Sequence, residues 1–296
     1  MTGSPTTSPV PGAESPQPEL DALIELLDLE QLDVNLFRGF SPPNSPTRVF
    51  GGQVAGQALV AAARTVAADR VVHSLHAYFI RAGDPSVPII YTTEPVRDGR
   101  SFTTRRVLAV QRGEAIFSLS ASFQEEQEGL EHTEPAPEGV PDPESLPSLE
   151  QLRREGRLSS WYTAQHPIDM RFVGVPTWSQ ERTEPTDEPI RVWMRAAGAL
   201  PDDPQLHACM LTYASDLTLL GSVFTRHAPV PGLNSASLDH AVWFHRRFRA
   251  DEWLLYTCYS PTASGSRGLA TGRFTDRDGR MIATVVQEGL VRLPRS

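Results

Sequence analysis

The sequence contains no lysine. All 27 basic residues are arginine, set against 36 acidic ones, and the formal net charge is −9. Without lysine there is neither a Walker A lysine nor a Schiff-base nucleophile. The acidic balance argues against a nucleic-acid surface. It still leaves room for an anionic small molecule, because arginine forks grip phosphate bidentately. Cysteine is nearly missing: Cys209 and Cys258 are too few for a disulfide framework, so a reducing, cytoplasmic setting is expected. No apolar run reaches the roughly 18 residues of a membrane span, and no stable membrane anchor is expected. The first residues lack the basic-then-apolar pattern of a secretory signal. The histidines are scattered, so no metal cluster stands out. A G-x-S-x-G elbow is also missing, and with it the usual mark of a serine nucleophile.

What is present fits a globular protein. Hydrophobic content is 40% and charged content 21% over 296 residues, enough for one large domain or two ordinary ones. Residues 1–18 are rich in Ser, Thr, Pro and Gly without periodicity, and read as a disordered tail. Leu20, Leu23, Ile24 and Leu27 fall at helical spacing. Leu32, Val34 and Leu36 alternate as a strand that Gly39 closes. Gly51-Gly52 opens an Ala-rich helix over 53–67. The double glycine permits close backbone approach, and the helix start offers free N–H groups; a plain helix entry and an oxyanion site both fit. Strands are expected over 72–80, 88–97, 101–112 and 115–123, with a hairpin at Asp98-Gly99. Residues 125–150, rich in proline and glutamate, read as a solvated connector.

The second half repeats this order. Strands at 168–173 and 190–196 precede a helix that Asp203-Pro204 starts, aspartate as cap and proline in the first turn, and that should run to about 224. Strands follow at 237–245, 252–260, 267–275 and 281–292. Each half therefore reads as a strand, a central helix and a run of antiparallel strands. Inside the second helix stands Asp216, surrounded by Met210, Leu211, Tyr213, Ala214 and Leu217. A helix apolar all round is a buried one, and a carboxylate there needs polar partners. The candidate partners are the Ser237 hydroxyl and the Gln287 amide; a capped or paired structural aspartate is the other reading.

Four stretches carry a resemblance: Arg48–Leu59 around the double glycine, Tyr213-Ala214-Ser215-Asp216, Ala236-Ser237-Leu238-Asp239-His240 running on to Trp243-Phe244-His245, and Val286-Gln287-Glu288-Gly289. In this order they resemble the acyl-CoA thioesterase II family, of TesB type, from about Leu20 to Leu293. The resemblance implies an α+β double hotdog fold, two antiparallel sheets each wrapped around a central helix. The expected organisation is a tail over 1–18, an N-terminal hotdog over 19–124, a linker over 125–160 and a C-terminal hotdog over 161–296 that carries the catalytic residues. It also implies that Asp216, Ser237 and Gln287 hold and activate a water, Ser237 standing where the family often has threonine. The chemistry of the residues agrees, since a carboxylate can take a proton from water while a hydroxyl and an amide fix its position. The expected substrate is a fatty acyl-CoA, its chain in an apolar tunnel beside the second helix, with no metal or redox cofactor. Association into a homo-oligomer is expected as well.

Two other readings stay open. Asp202 and His207 look like the Asp…His pair of MaoC-type enoyl-CoA hydratases, which share the fold, although Pro204-Gln205 replaces their Asn-Pro and a cap followed by a packing histidine explains the same residues. A non-catalytic acyl-CoA-binding protein would keep the tunnel without the water-holding trio. Alternation along 237–245 puts Ser237, Asp239, Ala241 and Trp243 on one face and His240 on the other, unless a bulge intervenes.

Overall fold

The computed structural model describes residues 17–42, 45, 47–158, 166–176, 179, 183–227 and 229–294. Most of the expected tail therefore lies outside the described residues, but its last two residues belong to helix α1, Gln17–Leu27, which buries Leu20, Leu23 and Leu27. The single strand expected across Leu32–Gly39 is a short hairpin instead, β1 (Glu30–Asp33) and β2 (Leu36–Gly39), and Val34 in its turn is 73% exposed. Helix α2 follows, Gly51–Ala63, starting at the double glycine rather than after it. Then come β3 (Arg70–Phe79), β4 (Ile89–Asp98), β5 (Phe102–Gln111) and β6 (Glu114–Glu125). Arg112 and Gly113, both at positive φ, form the tight turn between β5 and β6, a geometry that matches the twist of the strands.

The connector is only partly solvated. Its first stretch is exposed, but α3 (Leu149–Arg154) forms under a Ser148 cap, and Val140 and Leu146 pack on Trp193, Trp253 and Leu255. Trp193 Nε1 donates to the Pro141 carbonyl at 3.0 Å. Burying indole surface drives the contact, and the N–H finds its partner in the connector backbone.

The second half holds β7 (Ile168–Val173), β8 (Ile190–Ala196), α4 (Pro204–Ser215), α5 (Gly221–Phe224), β9 (Asn234–Ser237), β10 (Asp239–Phe244), β11 (Leu254–Ser264), β12 (Arg267–Thr275) and β13 (Met281–Arg292). Asp203 caps α4 by accepting from the Gln205 N–H at 2.9 Å, as expected. The helix stops nine residues short of the expected end, at Ser215. Tyr256 donates its hydroxyl to the Ser215 carbonyl at 3.1 Å. Beyond it the chain closes i→i−3 bonds, Leu217 to Ala214 and Gly221 to Thr218, which tighten the backbone and re-aim it before α5.

All strand pairs are antiparallel, and the sheet runs β1-β2-β4-β5-β6-β3-β10-β13-β12-β11-β8-β7 with β9 on β13. The order β2-β4-β5-β6-β3 in the first half recurs as β8-β11-β12-β13-β10 in the second, each with a helix between its first and second strands. This is the double hotdog. The two expected sheets are its halves, fused into one where β3 pairs β10, Ala241 opposite His76. Helices α2 and α4 lie against each other on the inner face. Gly52 and Gly56 let them approach: a Cβ on Gly52 would sit 2.4 Å from the Tyr213 carbonyl oxygen. Among the described residues no helix is long and apolar enough to cross a membrane.

Candidate active site

Asp216 follows the last residue of α4 and takes its C-cap position, φ −84° and ψ −8°. The end of the helix aims its carboxylate at two neighbouring strands. Gln287 on β13 is fully buried, and its Nε2 donates to Asp216 Oδ1 at 2.7 Å and to Ser237 Oγ at 2.7 Å. Ser237 Oγ in turn donates to Asp216 Oδ1 at 3.4 Å. The structure thus brings the three expected residues into one closed triangle. Both amide protons of Gln287 are committed, which fixes the orientation of the amide; its Oε1 has no partner among the described residues.

The fourth side comes from the other half of the chain. The Gly52 N–H donates to the Asp216 carboxylate. A Cβ on Gly51 would lie 2.5 Å from Asp216 Oδ2 and 2.9 Å from Phe79. Phe50, at the N-cap of α2, offers no side-chain cap of its own. Asp216 supplies it, and the positive end of the helix favours the negative charge. The double glycine is therefore the seat of the carboxylate, a role that the helix entry alone did not reveal. Burial pushes the Asp216 pKa up to about 6, against the downward pull of the Gln287, Gly52 and Ser237 hydrogen bonds and the Arg48 charge. A carboxyl poised near neutrality can exchange a proton with water.

Local sequence explains how the strands reach this geometry. Ser237 pairs with Gly289, yet Ala241 pairs with Val286, so the register slips by one residue between β9 and β10. Leu238 N–H donates to the Glu288 carbonyl, and Asp239 Oδ1 accepts from the Glu288 N–H at 2.7 Å, closing a bulge. A bulge re-aims the chain and shifts alternation by one. Ser237 and His240 consequently both point inward, and the expectation that His240 lies on the opposite face is corrected. Gly289 is glycine because Leu220, just past Asp216, packs where its Cβ would be, 2.2 Å away.

The other candidate pair, Asp202 and His207, lines one cavity but shares no hydrogen bond. Asp202 pairs with Arg249 at 3.3 Å and its side chain is 93% exposed. His207 is buried, and its Nδ1 accepts from the Ala250 N–H at 3.0 Å. His245 is exposed beside the same cavity and shares a hydrogen bond with Thr284 Oγ1 at 2.8 Å. The expected apolar tunnel beside α4 is nearly closed: a cavity of about 20 Å³ lies among Met194, Met210, Leu211, Ala214, Leu254 and Phe274. A larger cavity of about 610 Å³ opens at the opposite end of α4, around Gln205, His207, Phe244 and Arg246. The twelve residues of α4 separate that end from Asp216, about 18 Å at helical rise.

Comparison with known proteins matches residues 167–290 to a family model described as acyl-CoA thioesterase, and residues 40–124 to one described as acyl-CoA thioesterase N-terminal domain. The chain is 45% identical to acyl-coenzyme A thioesterase 8 of Mus musculus, covering 90% of this chain and 88% of that one. It is 37% identical to acyl-CoA thioesterase 2 of Haemophilus influenzae, covering 92% and 98%. Among solved structures, the acyl-CoA thioesterase II TesB2 of Mycobacterium marinum superposes with a TM-score of 0.76 at 45% identity, covering 93% of this chain and 98% of that one.

Proposed function

Since this chain belongs to the acyl-CoA thioesterase family, we propose that Asp216, Ser237 and Gln287 form its hydrolytic centre. The enzyme converts an acyl-CoA and water into a free fatty acid and coenzyme A. The closed triangle of these three side chains against the start of α2 carries the assignment. Asp216 takes a proton from a water as that water's oxygen attacks the thioester carbonyl. Ser237 and Gln287 hold the water at the carboxylate. The carbon–sulfur bond then breaks, and the sulfur leaves as a thiolate or takes the proton back from Asp216. A thiol with an ordinary pKa of about 8.5 is a good leaving group, so a strong general acid is not required. No covalent acyl-enzyme forms in this scheme.

The division into a hotdog at 19–124, a linker at 125–160 and a second hotdog at 161–296 is retained, supported by the repeated strand order. A cytoplasmic location is retained on two free, buried cysteines. Self-association is retained on the outer sheet face, where Tyr78 and Leu108, both exposed, flank Ser118. Light scattering that gives a monomer mass at micromolar concentration would remove that last element.

The reaction class is tested by two assays on one preparation: thiol release from saturated acyl-CoAs, and hydration of the matching trans-2-enoyl-CoA. Thiol release is expected in the parent and, largely unchanged, in His207→Ala. Hydration that is lost in His207→Ala, with no thiol release in the parent, would establish the hydratase. Acyl-CoA binding with neither activity would establish the binding protein.

A further inference from the structure

We propose that His240 is a positioning residue for hydrolysis: it anchors Ser215, the residue immediately before Asp216, and so sets where the carboxylate meets the water. The proposal rests on the reading of Asp216 as the hydrolytic base.

The hydrogen bonds around Ser215 fix their own directions. Ser215 Oγ donates its single proton to the Thr212 carbonyl, 2.9 Å away. The contact between Ser215 Oγ and His240 Nε2, at 2.8 Å, must then have the imidazole as donor. The ring is the Nε2–H tautomer, and Nδ1 is a bare acceptor, consistent with its having no partner among the described residues. His240 is 1% exposed, and burial lowers its pKa to about 4, so it stays neutral and the donor stays in place.

Ser215 is held a second time, through its carbonyl, by the Tyr256 hydroxyl at 3.1 Å. Strands β10 and β11 thereby grip the residue where α4 ends. The grip matters because the helix no longer does the work: past Ser215 the chain leaves the i→i−4 ladder. The tethers on Ser215 stand in for it and fix the departure of Asp216. A buried histidine with one nitrogen that has no partner among the described residues costs stability, and an inward sheet position does not otherwise require it. A displacement of about 1 Å at a reacting group costs on the order of a hundredfold in rate.

The test is a double-mutant cycle read as kcat and KM for thiol release. His240→Phe keeps the ring volume and removes the donor; Ser215→Ala removes the acceptor in a residue type that suits a helix end. Each is expected to lower kcat about ten- to a hundredfold with KM within about threefold. The double variant should be no worse than the worse single one, because both delete one contact. His240→Gln, whose amide nitrogen sits as many bonds from Cβ as Nε2 does, should return kcat to within about threefold of the parent. Parent-level kcat in His240→Phe or Ser215→Ala, losses that multiply in the double variant, or no recovery in His240→Gln would each overturn the proposal. If His240→Phe does not fold, Ser215→Ala and His240→Gln still decide it. Asp216→Asn in the same assay separates the two levels: an active Asp216→Asn refutes the hydrolytic base, whereas an inactive one beside a fully active His240→Phe refutes only the positioning role.

Discussion

Asp216 is a carboxylate whose surroundings pull in opposite directions. Burial raises its pKa to about 6 while Gln287, Gly52, Ser237 and Arg48 restrain the rise. As a base it works only when ionised, so kcat/KM for thiol release should be level above pH 7 and fall about tenfold per pH unit well below 6. Arg48→Gln should move that midpoint upward, since the arginine charge favours the ionised form; a downward move would contradict the assignment. The same shift has a stability sign. Folding raises this pKa from its ordinary 3.8, so the carboxyl favours the folded state below pH 3.8, and that contribution is lost as pH rises through 6. Ser237 makes a second prediction. Ser237→Ala should lower kcat about a hundredfold, whereas Ser237→Thr should keep most of it, because the hydroxyl alone bonds Asp216 and Gln287. These three residues were legible in the sequence because each stands in a motif. His240 was not, because strict alternation fails at a bulge that only the pairing of β9 and β10 with β13 reveals.

Helix α2 shows how one element can serve both packing and chemistry. Gly51 faces the Asp216 carboxylate, whereas Gly52 faces the backbone of α4 at Tyr213. The two glycines should therefore fail differently. Gly51→Ala would push on side chains, the Asp216 carboxylate and the Phe79 ring, rather than on backbone, so kcat should fall at least tenfold with the smaller change in Tm. Gly52→Ala would push on a carbonyl that cannot move without parting the helices, so it should cost about 1–3 kcal/mol of stability, several degrees in Tm. Equal thermal losses in both variants would contradict this division. Element order and most strands were readable from alternation and turn residues. Two boundaries were not. Apolar periodicity continues through Leu217–Leu220, so nothing local announced that α4 ends at Ser215; the Tyr256 hydroxyl that meets its carbonyl lies on a strand 41 residues away. The connector's anchoring on Trp193 was hidden because its proline- and glutamate-rich composition matches that of free linkers.

At the scale of the molecule the site belongs to both halves. Asp216, Ser237 and Gln287 all lie in the second, but the peptide group that caps the carboxylate lies in the first, brought there by the β3–β10 seam and the α2–α4 contact. The repeated strand order was legible; the seam was not, because either half could in principle have kept its edges free. Residues 125–296 made alone should show no thiol release despite carrying the whole triangle, and activity in that fragment would show that the first half is dispensable. The central claim, that a water activated by Asp216 hydrolyses the thioester, is tested most directly by steady-state thiol release in Asp216→Asn, a nearly isosteric change that removes the charge. The expected result is a fall in kcat of about a hundred- to ten-thousand-fold with KM nearly constant; turnover equal to that of the parent would contradict the account.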